Sequence, residues 1–368
     1  MSLLAAAYNL AVLGRAKDAP GPFDPARVKK ILVVRNDNSG DVVCTTPALD
    51  ALRRAFPDAY IAAVVCTLAE EAISGHRALD QVWAYPKAKH KQHGPLESLM
   101  RLGRVIREIR AKKFDLAIAF RSSFSTSQGW LAYASAARWR LGPEARGKRA
   151  RWGFYYNLPA AWPGAGLHEV ERCFHLLQYL RVDSPDKRLY LEVPAAAAAQ
   201  AAAFLAQNGL APGARPTLVN ITRWAYRPDR MWPEDRYRAL VAALMARPGG
   251  VVVTHAPADR DWVAGILTGL EPAPPVFWAK SLKEFAAMLQ AGRALVTCEG
   301  GPMHLAAAVG TPQVVLWSQN TPIEVWHPWS KAHTILGGRG PVEAIALDEV
   351  LAALADLAPG AAPAPRER

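Results

Sequence analysis

Two stretches of this chain repeat one pattern, a strand that runs directly into a sharp turn and a helix. The first is Ile31-Leu32-Val33-Val34-Arg35, followed by Asn36-Asp37-Asn38-Ser39-Gly40-Asp41. The second is Ala294-Leu295-Val296-Thr297-Cys298, followed by Glu299-Gly300-Gly301-Pro302-Met303-His304. Open α/β sheets bind ligands just beyond the carboxyl ends of their strands. Two such turns, far apart in the sequence, predict two α/β halves that hold a ligand between them.

Strand-like and helix-like segments alternate through both halves, which indicates parallel sheets with helices on both faces. Strands are predicted at 31–35, 60–65, 81–84, 116–120, 217–221, 250–254, 276–278, 294–298 and 313–316. Helices are predicted at 47–55, 69–74, 96–112, 195–207, 233–246, 259–267, 282–291, 302–308 and 347–358. The predicted organisation is an extension at 1–27, Rossmann-like domains at 28–185 and 186–358, and a disordered tail at 359–368.

The composition favours a globular protein with an anionic partner. Hydrophobic residues make up 51% of the 368 residues, and no apolar run is long enough to cross a bilayer. The 44 basic and 32 acidic residues give a formal charge of +12, which suits a phosphorylated substrate or an anionic membrane. Basic residues between Arg138 and Arg151 are interpreted as solvated surface. No nucleic-acid-binding signature accompanies them, so we expect no nucleic acid partner.

The cysteines and the N-terminus indicate a cytoplasmic protein. Cys44, Cys66, Cys173 and Cys298 are isolated in the sequence, without the spacing of a metal site. Residues 1–14 are apolar but lack the preceding basic segment of a secretory signal. A helix packed on the fold and a helix on a membrane surface both remain open for them. No dinucleotide fingerprint, Walker lysine motif or nucleophile elbow is present.

Several further segments carry a resemblance to a known family. The motifs are Val33 to Val43 with Thr45-Thr46-Pro47-Ala48-Leu49, Phe114-Asp115-Leu116 to Arg121-Ser122, His168-Glu169-Val170-Glu171-Arg172, Arg230-Met231-Trp232-Pro233, Glu299 to Pro312, and Trp326-His327-Pro328-Trp329. In these motifs, and in their order, the chain resembles the heptosyltransferases of glycosyltransferase family nine. Several motifs in register are more specific than any single one.

The resemblance implies a GT-B fold, two Rossmann-like domains with parallel sheets that face a central cleft. It implies an inverting transferase that moves heptose from ADP-heptose to an inner-core lipopolysaccharide acceptor. The nucleotide-sugar is a co-substrate, and neither a cofactor nor a metal is expected. The acceptor is an anionic glycolipid, so we expect peripheral contact with the cytoplasmic face of the inner membrane.

Asp41 is the predicted general base, because it matches the position that the family uses for that role. The base must take a proton from the acceptor hydroxyl as inversion proceeds. Gly40 is expected to turn the backbone so that Asp41 faces the ligand. The alternative is that Asp41 caps the following helix, which would lower its pKa and weaken it as a base. Asp37 is the competing carboxylate and is interpreted as a loop residue.

The donor side is predicted from the second turn and its neighbours. The predicted donor-binding residues are Thr222, Arg230, Asp259, Glu299, Gly300, Gly301 and His304. Gly301 would let a phosphate approach the N-terminus of the next helix, where N–H groups converge on an anion. Arg230 could bridge two phosphate oxygens, or could be a surface arginine beside Asp229. Thr222 could serve phosphate or only the turn, and His304 could bind phosphate or pack on the sheet.

Departures from the family pattern concentrate on this donor side. Glu299 and Gly300 stand where the family has Asp followed by Ser or Thr, so the carboxylate is longer and a hydroxyl is missing. Two other functions are therefore open, transfer from a different nucleotide-sugar and sugar-nucleotide binding without catalysis. On the acceptor side, Arg121 matches a family position, and Lys87 and Lys89 could line the same mouth or be solvated loop charges.

Overall fold

The computed structural model describes residues 22–87, 94–121, 123–211, 213–223 and 227–357. The chain divides into two compact units, residues 1–187 and residues 188–368. Most of the predicted extension, the predicted tail and Lys89 lie outside the described residues. Within the described part of the chain, no helix has both the length and the apolar character that a membrane span needs.

The first unit is built on a parallel sheet of six strands, in the order β3-β2-β1-β4-β5-β6. The strands are β1 (Lys30–Val34), β2 (Tyr60–Cys66), β3 (Gln81–Tyr85), β4 (Leu116–Ala119), β5 (Trp139–Pro143) and β6 (Leu158–Ala160). The α-helices are α1 (Ser39–Ala55), α2 (Pro95–Lys112), α3 (Thr126–Ala134) and α4 (Glu169–Gln178), with short 3-10 helices at Pro25–Arg27, Thr67–Ala72 and Gly147–Tyr155. Strand β1 pairs in parallel with β2 on one side and β4 on the other.

The second unit repeats this plan, with the strand order β12-β11-β10-β7-β8-β9. The strands are β7 (Thr217–Asn220), β8 (Val251–His255), β9 (Val276–Trp278), β10 (Ala294–Cys298), β11 (Gln313–Trp317) and β12 (His333–Gly337). The α-helices are α5 (Ala195–Gln207), α6 (Glu234–Met245), α7 (Arg260–Leu267), α8 (Leu282–Ala291), α9 (Gly301–Val309), α10 (Ile323–Trp326) and α11 (Leu347–Asp356), with 3-10 helices at Pro228–Arg230, Pro257–Asp259 and Val342–Ala344.

The topology fixes where each unit can bind a ligand. In the first sheet the strand order reverses between β1 and β4, and in the second it reverses between β7 and β10. A crevice opens at such a reversal because the flanking connections leave in opposite directions. The predicted α/β fold with two parallel sheets is confirmed, and both opening turns of the sequence, after β1 and after β10, border such a reversal.

Helix α1 begins at Ser39, eight residues before the predicted start, and continues through Pro47. A proline inside a helix deprives the carbonyl four residues earlier of its N–H donor. Here the Thr46 hydroxyl donates to the carbonyl of Val43 at 2.7 Å, which is that carbonyl. The helix therefore tolerates Pro47, and the prediction that Gly40 lies in a turn before the helix is wrong.

Four elements between residues 126 and 178 are missing from the sequence prediction: α3, β5, β6 and α4. Strand β5 was obscured by Arg140, which is 3% exposed and was interpreted as surface. Its guanidinium donates to the carbonyls of Tyr155 and Ala137 at 2.9 Å each. Its polar groups are thus satisfied inside the fold, as burial of a charge requires.

The Thr46 contact predicts a measurable loss of stability. Replacing Thr46 by Val removes the hydroxyl at nearly constant volume and leaves the Val43 carbonyl without this donor in a buried site. We expect the free energy of unfolding to fall by about 1–3 kcal/mol, measured by urea denaturation. Thr334→Val on strand β12 is the control and should change little, since valine suits a strand. Equal stability of T46V and the wild type would contradict this account of α1.

Candidate functional site

The centre of the first crevice is a buried arginine at the end of β1. Arg35 is 0% exposed and donates through Nη1 to the carbonyl of Phe120, which follows β4. Its Nη2 lies 2.7 Å from Oε1 of Glu169 and 3.2 Å from Oδ1 of Asp41. Its Nε lies 3.4 Å from Oδ2 of Asp37. One guanidinium therefore joins two strand ends and three carboxylates.

Asp41 lies in the first turn of α1, and Asn38 is the N-cap residue. The alternative that Asp41 caps this helix is therefore wrong. Its side chain retains 21% exposure, against 12% for Asp37 and 2% for Glu169. Asp41 is thus the most accessible of the three carboxylates around Arg35. An acidic side chain in the first turn is also favoured by the helix dipole.

The environment makes Asp41 a stronger base than an exposed aspartate. Burial raises the pKa of Asp41 above its ordinary value of 3.8, while the charge of Arg35 opposes the rise and Asp37 adds to it. Burial works against the charge of Arg35 itself, but Glu169, Asp41 and Asp37 together raise the pKa of that guanidinium. Arg35 therefore stays charged, and the proton affinity of Asp41 is increased.

Asp37 is more than a loop residue, because three side chains converge on its carboxylate. Arg121 donates to Oδ1 at 2.7 Å and Gln128 donates to Oδ2 at 2.8 Å, in addition to the Arg35 contact. Arg121, predicted to bind acceptor, is therefore brought into the Arg35 cluster and remains 38% exposed. Lys87 follows β3, two strands away from β1 in the sheet order. The structure thus joins Arg121 to this cluster.

The second crevice is lined by neutral polar groups. Asn220, the last residue of β7, accepts from the hydroxyl of Thr222 at 2.8 Å. Its amide donates to the hydroxyl of Thr254 at 3.1 Å, and the Thr297 hydroxyl of β10 lies 3.4 Å from its carbonyl oxygen. Asn220 thereby fixes the Thr222 side chain at the strand reversal. Asp259, 7% exposed, accepts from the backbone N–H of Arg223 at 3.1 Å and anchors the same loop.

Glu299 is held by partners from two other segments. Its side chain is 1% exposed, and Nε of Arg230 lies 3.5 Å from Oε1. The Ser318 hydroxyl, just beyond β11, donates to the same oxygen. Arg230 also donates to the Thr321 hydroxyl at 2.8 Å. The alternative that Arg230 is a surface arginine is wrong, because its side chain is only 19% exposed and contacts Glu299 and Thr321, while Arg227 pairs with Asp229 at 2.8 Å.

The N-terminus of α9 offers backbone N–H groups beside an open space. Gly300 precedes the helix with φ 145° and ψ −160°, a conformation that L side chains rarely adopt. A Cβ at Gly301 would meet no atom within 4 Å, so a ligand can approach the backbone there. His304 is 4% exposed, and burial lowers its pKa to about 4. At neutral pH this histidine is uncharged and acts only through hydrogen bonds and packing.

The comparisons with known proteins agree with this geometry. The family model described as glycosyltransferase family 9 (heptosyltransferase) matches residues 102–345, more than half of the chain. The chain belongs to glycosyltransferase family 9. It is therefore a glycosyltransferase, and the suspected family resemblance is confirmed.

Relatives of this family 9 enzyme match it over most of its length. A lipopolysaccharide heptosyltransferase 3 of Escherichia coli is 25% identical over 79% of this chain and 84% of its own. A family 9 glycosyltransferase structure from Veillonella parvula superposes with a TM-score of 0.76 at 22% identity, over 92% of this chain and 98% of its own. The E. coli heptosyltransferase WaaC with ADP-2-deoxy-2-fluoro heptose gives a TM-score of 0.69 at 20% identity, over 89% and 100%.

Several residues of these sites in the family 9 chain were missed from the sequence. No role was predicted for five residues that contact the predicted ones: Arg35, Glu169, Gln128, Ser318 and Thr321. Arg35 could have been found, because a charge directly after a buried strand needs a partner. Glu169 could not, since nothing local indicates that it meets a residue 134 positions earlier.

The Arg35 cluster predicts a pH-dependent loss of stability. Arg35→Met leaves three carboxylates without their common cation and should lower the free energy of unfolding by about 3–5 kcal/mol at neutral pH. Burial already raises the folded-state pKa of Asp41 above 3.8, and loss of the opposing charge of Arg35 raises it further. Ionisation of Asp41 then destabilises the fold as the pH rises through that raised pKa, so the deficit should shrink on acidification.

Denaturation of the wild type, R35M and R146M across a pH series measures this. Arg146 pairs with Glu144 at the surface, with 61% of its side chain exposed, so R146M should cost less than about 1 kcal/mol. A deficit in R35M that does not depend on pH would contradict a charge-based role for Arg35.

Proposed function

We propose that this enzyme transfers heptose from ADP-heptose to an anionic acceptor of the lipopolysaccharide inner core, with inversion and with Asp41 as the general base. The observation that carries the proposal is the Asp41 carboxylate at the first strand reversal, partly exposed, held by Arg35 and raised in pKa. Family membership and the lipopolysaccharide heptosyltransferases among its relatives support the choice of reaction.

The proposed chemistry begins at the acceptor hydroxyl. Asp41 takes its proton as the oxygen forms a bond to the anomeric carbon, and the bond from that carbon to the ADP oxygen breaks. A raised pKa improves proton acceptance, provided that the group is still ionised at working pH. Arg35 serves this by keeping the anion oriented, and we assign Gly40, next to Asp41 in α1, to the acceptor side of the site. Arg121, with Lys87 and Lys89, supplies positive charge for the acidic acceptor groups.

On the donor side, negative charge develops on the departing diphosphate. We assign its stabilisation to Arg230, Gly301 and the N–H groups at the start of α9, rather than to a metal ion. Thr222 donates its hydroxyl to a phosphate, and uncharged His304 contributes a hydrogen bond. Glu299 fixes Arg230 and faces the sugar hydroxyls, with Gly300 beside it. Asp259 contacts the ribose.

Asp41→Asn tests the base. The amide keeps the shape and the Arg35 side of the site but cannot accept the proton, so kcat for transfer from ADP-heptose should fall by about 10²–10⁴-fold. ADP-heptose affinity, measured by calorimetry, should stay within about twofold, because Asp41 belongs to the other unit. In the wild type, kcat/KM should decline on acidification with a midpoint above 3.8, the ordinary value for Asp.

Asp37→Asn is the matched control, since Asp37 shares the Arg35 cluster but is covered by Arg121 and Gln128. D37N should lose less activity than D41N. If D41N turns over normally while D37N does not, the base assignment passes to Asp37. If neither variant matters and ADP-heptose does not bind, the proposed reaction fails.

Arg230→Ala tests the diphosphate assignment. Loss of a charge-assisted contact should weaken ADP binding by about 10–100-fold, as measured by calorimetry. Arg227→Ala removes an arginine three residues away that pairs with Asp229, and it should leave ADP affinity nearly unchanged. Equal ADP affinity of R230A and the wild type would refute a phosphate contact for Arg230.

A further inference from the structure

Helix α2 carries three large apolar side chains that the fold does not cover. Leu96, Leu99 and Met100 are 69%, 43% and 61% exposed. Leu96 and Met100 lie on one side of the helix at a spacing of four residues, and Leu99 lies at the border between that side and the packed side. We call these residues, together with Arg104 and Arg107, the α2 surface. Single exposed apolar residues are ordinary, but a contiguous group marks an interaction site.

The opposite side of α2 already packs on the core of its unit. Ser98, Val105, Ile106 and Ile109 are buried. Ser98, Val105 and Ile109 lie about half a turn away from Leu96 and Met100 at 100° per residue, and Ile106 lies beside Leu99 at the edge of the packed face. The α2 surface is therefore not a poorly packed core face. It is the outward side of a helix whose inward side is satisfied.

The charge on this helix points to an anionic partner. Arg104 and Arg107 are exposed on the turns that follow Met100. Within the described residues neither of them forms an ion pair. The two acidic residues of α2 are engaged, since Glu97 pairs with Arg101 at 2.9 Å and Glu108 accepts from the Trp83 indole at 2.9 Å. The α2 surface thus combines exposed apolar side chains with two arginines that form no ion pair among the described residues.

We infer that the α2 surface docks this enzyme on an anionic lipid bilayer. Leu96, Leu99 and Met100 enter the boundary between headgroups and acyl chains, and Arg104 and Arg107 contact lipid phosphates. Amphipathic helices with a basic polar face bind membranes in this way, with strength set by apolar area and by attraction to anionic lipids. The inference deepens the proposed function, on which it rests for the biological reason to visit a membrane, because it names the contact surface.

A bilayer suits these residues better than a second copy of the chain. A second copy of the chain also carries a formal charge of +12, so it would repel Arg104 and Arg107. An anionic leaflet attracts these arginines. A flat lipid surface also needs no complementary pocket for the flexible side chain of Met100.

Vesicle flotation tests the inference with the full chain. The wild type should float with vesicles of phosphatidylcholine and phosphatidylglycerol, and much less with phosphatidylcholine alone. L96S/L99S/M100S and R104E/R107E should each bind the anionic vesicles at least about tenfold more weakly. L68S, which removes a leucine that is 51% exposed elsewhere, and R247E/R339E, which changes net charge equally, should bind like the wild type.

Transfer to a lipid-free acceptor fragment separates the two proposals. The α2 variants should keep wild-type turnover with that fragment and lose it with acceptor embedded in vesicles. Unchanged vesicle binding by both α2 variants would overturn the membrane surface while leaving the transferase intact. A dimer in light scattering that the L96S/L99S/M100S variant disrupts, without vesicle binding, would make a second copy the occupant and overturn it too. Vesicle binding without any transfer would leave the surface standing and refute the reaction.

Discussion

The buried guanidinium of Arg35 is the contact on which the first site depends. A charge taken fully out of water is tolerated only with close and well-oriented partners. Arg35 finds them in Asp37, Asp41 and Glu169, and in the carbonyl of Phe120. These residues come from the loop after β1, from α1, from α4 and from the end of β4. The same contact that satisfies the arginine therefore fixes the relative positions of four segments around the strand reversal, and α1 packs against α4 in agreement with this.

The two units reach the same topology with different chemistry at the reversal. The first unit uses ions, with Arg35 at its centre. The second uses the neutral side chains of Asn220, Thr222 and Thr297, and its most deeply buried carboxylate at the reversal, Glu299, is held by Arg230 and Ser318. The hydroxyl that the family resemblance leads one to expect at position 300 is absent, and Glu299 instead accepts from the hydroxyl of Ser318. The longer carboxylate of Glu299 thus has a hydrogen-bond donor in Ser318, directly after strand β11.

Local patterns in the sequence predicted the second unit well and part of the first badly. Strands β9 and β10 and helices α5 and α8 have the predicted bounds, because apolar periodicity and turn residues agree there. Strand β5 was missed because the charged residue Arg140 interrupts its apolar pattern, although Arg140 is in fact buried. The start of α1 was missed because Pro47 suggests a break that the Thr46 hydroxyl repairs. Long-range contacts such as Arg35 with Glu169 leave no local signal, so the candidate base was found by resemblance while its support was not.

The distribution of burial among the three carboxylates argues for a division of labour. Glu169 is nearly inaccessible and makes the shortest contact with Arg35, at 2.7 Å, so it serves to hold the cation. Asp37 accepts from Arg121 and Gln128, which occupy both of its oxygens. Asp41 has the longer contact of 3.2 Å to Nη2 and the largest exposure of the three. Because burial outweighs the opposing charge of Arg35 in setting the pKa of Asp41, the most accessible of the three carboxylates is a stronger base than an exposed aspartate. The single positive charge of Arg35 is shared among Glu169, Asp37 and Asp41, so it offsets the negative charge of Asp41 only in part. A carboxylate whose charge is only partly offset holds a proton more readily, as a general base must.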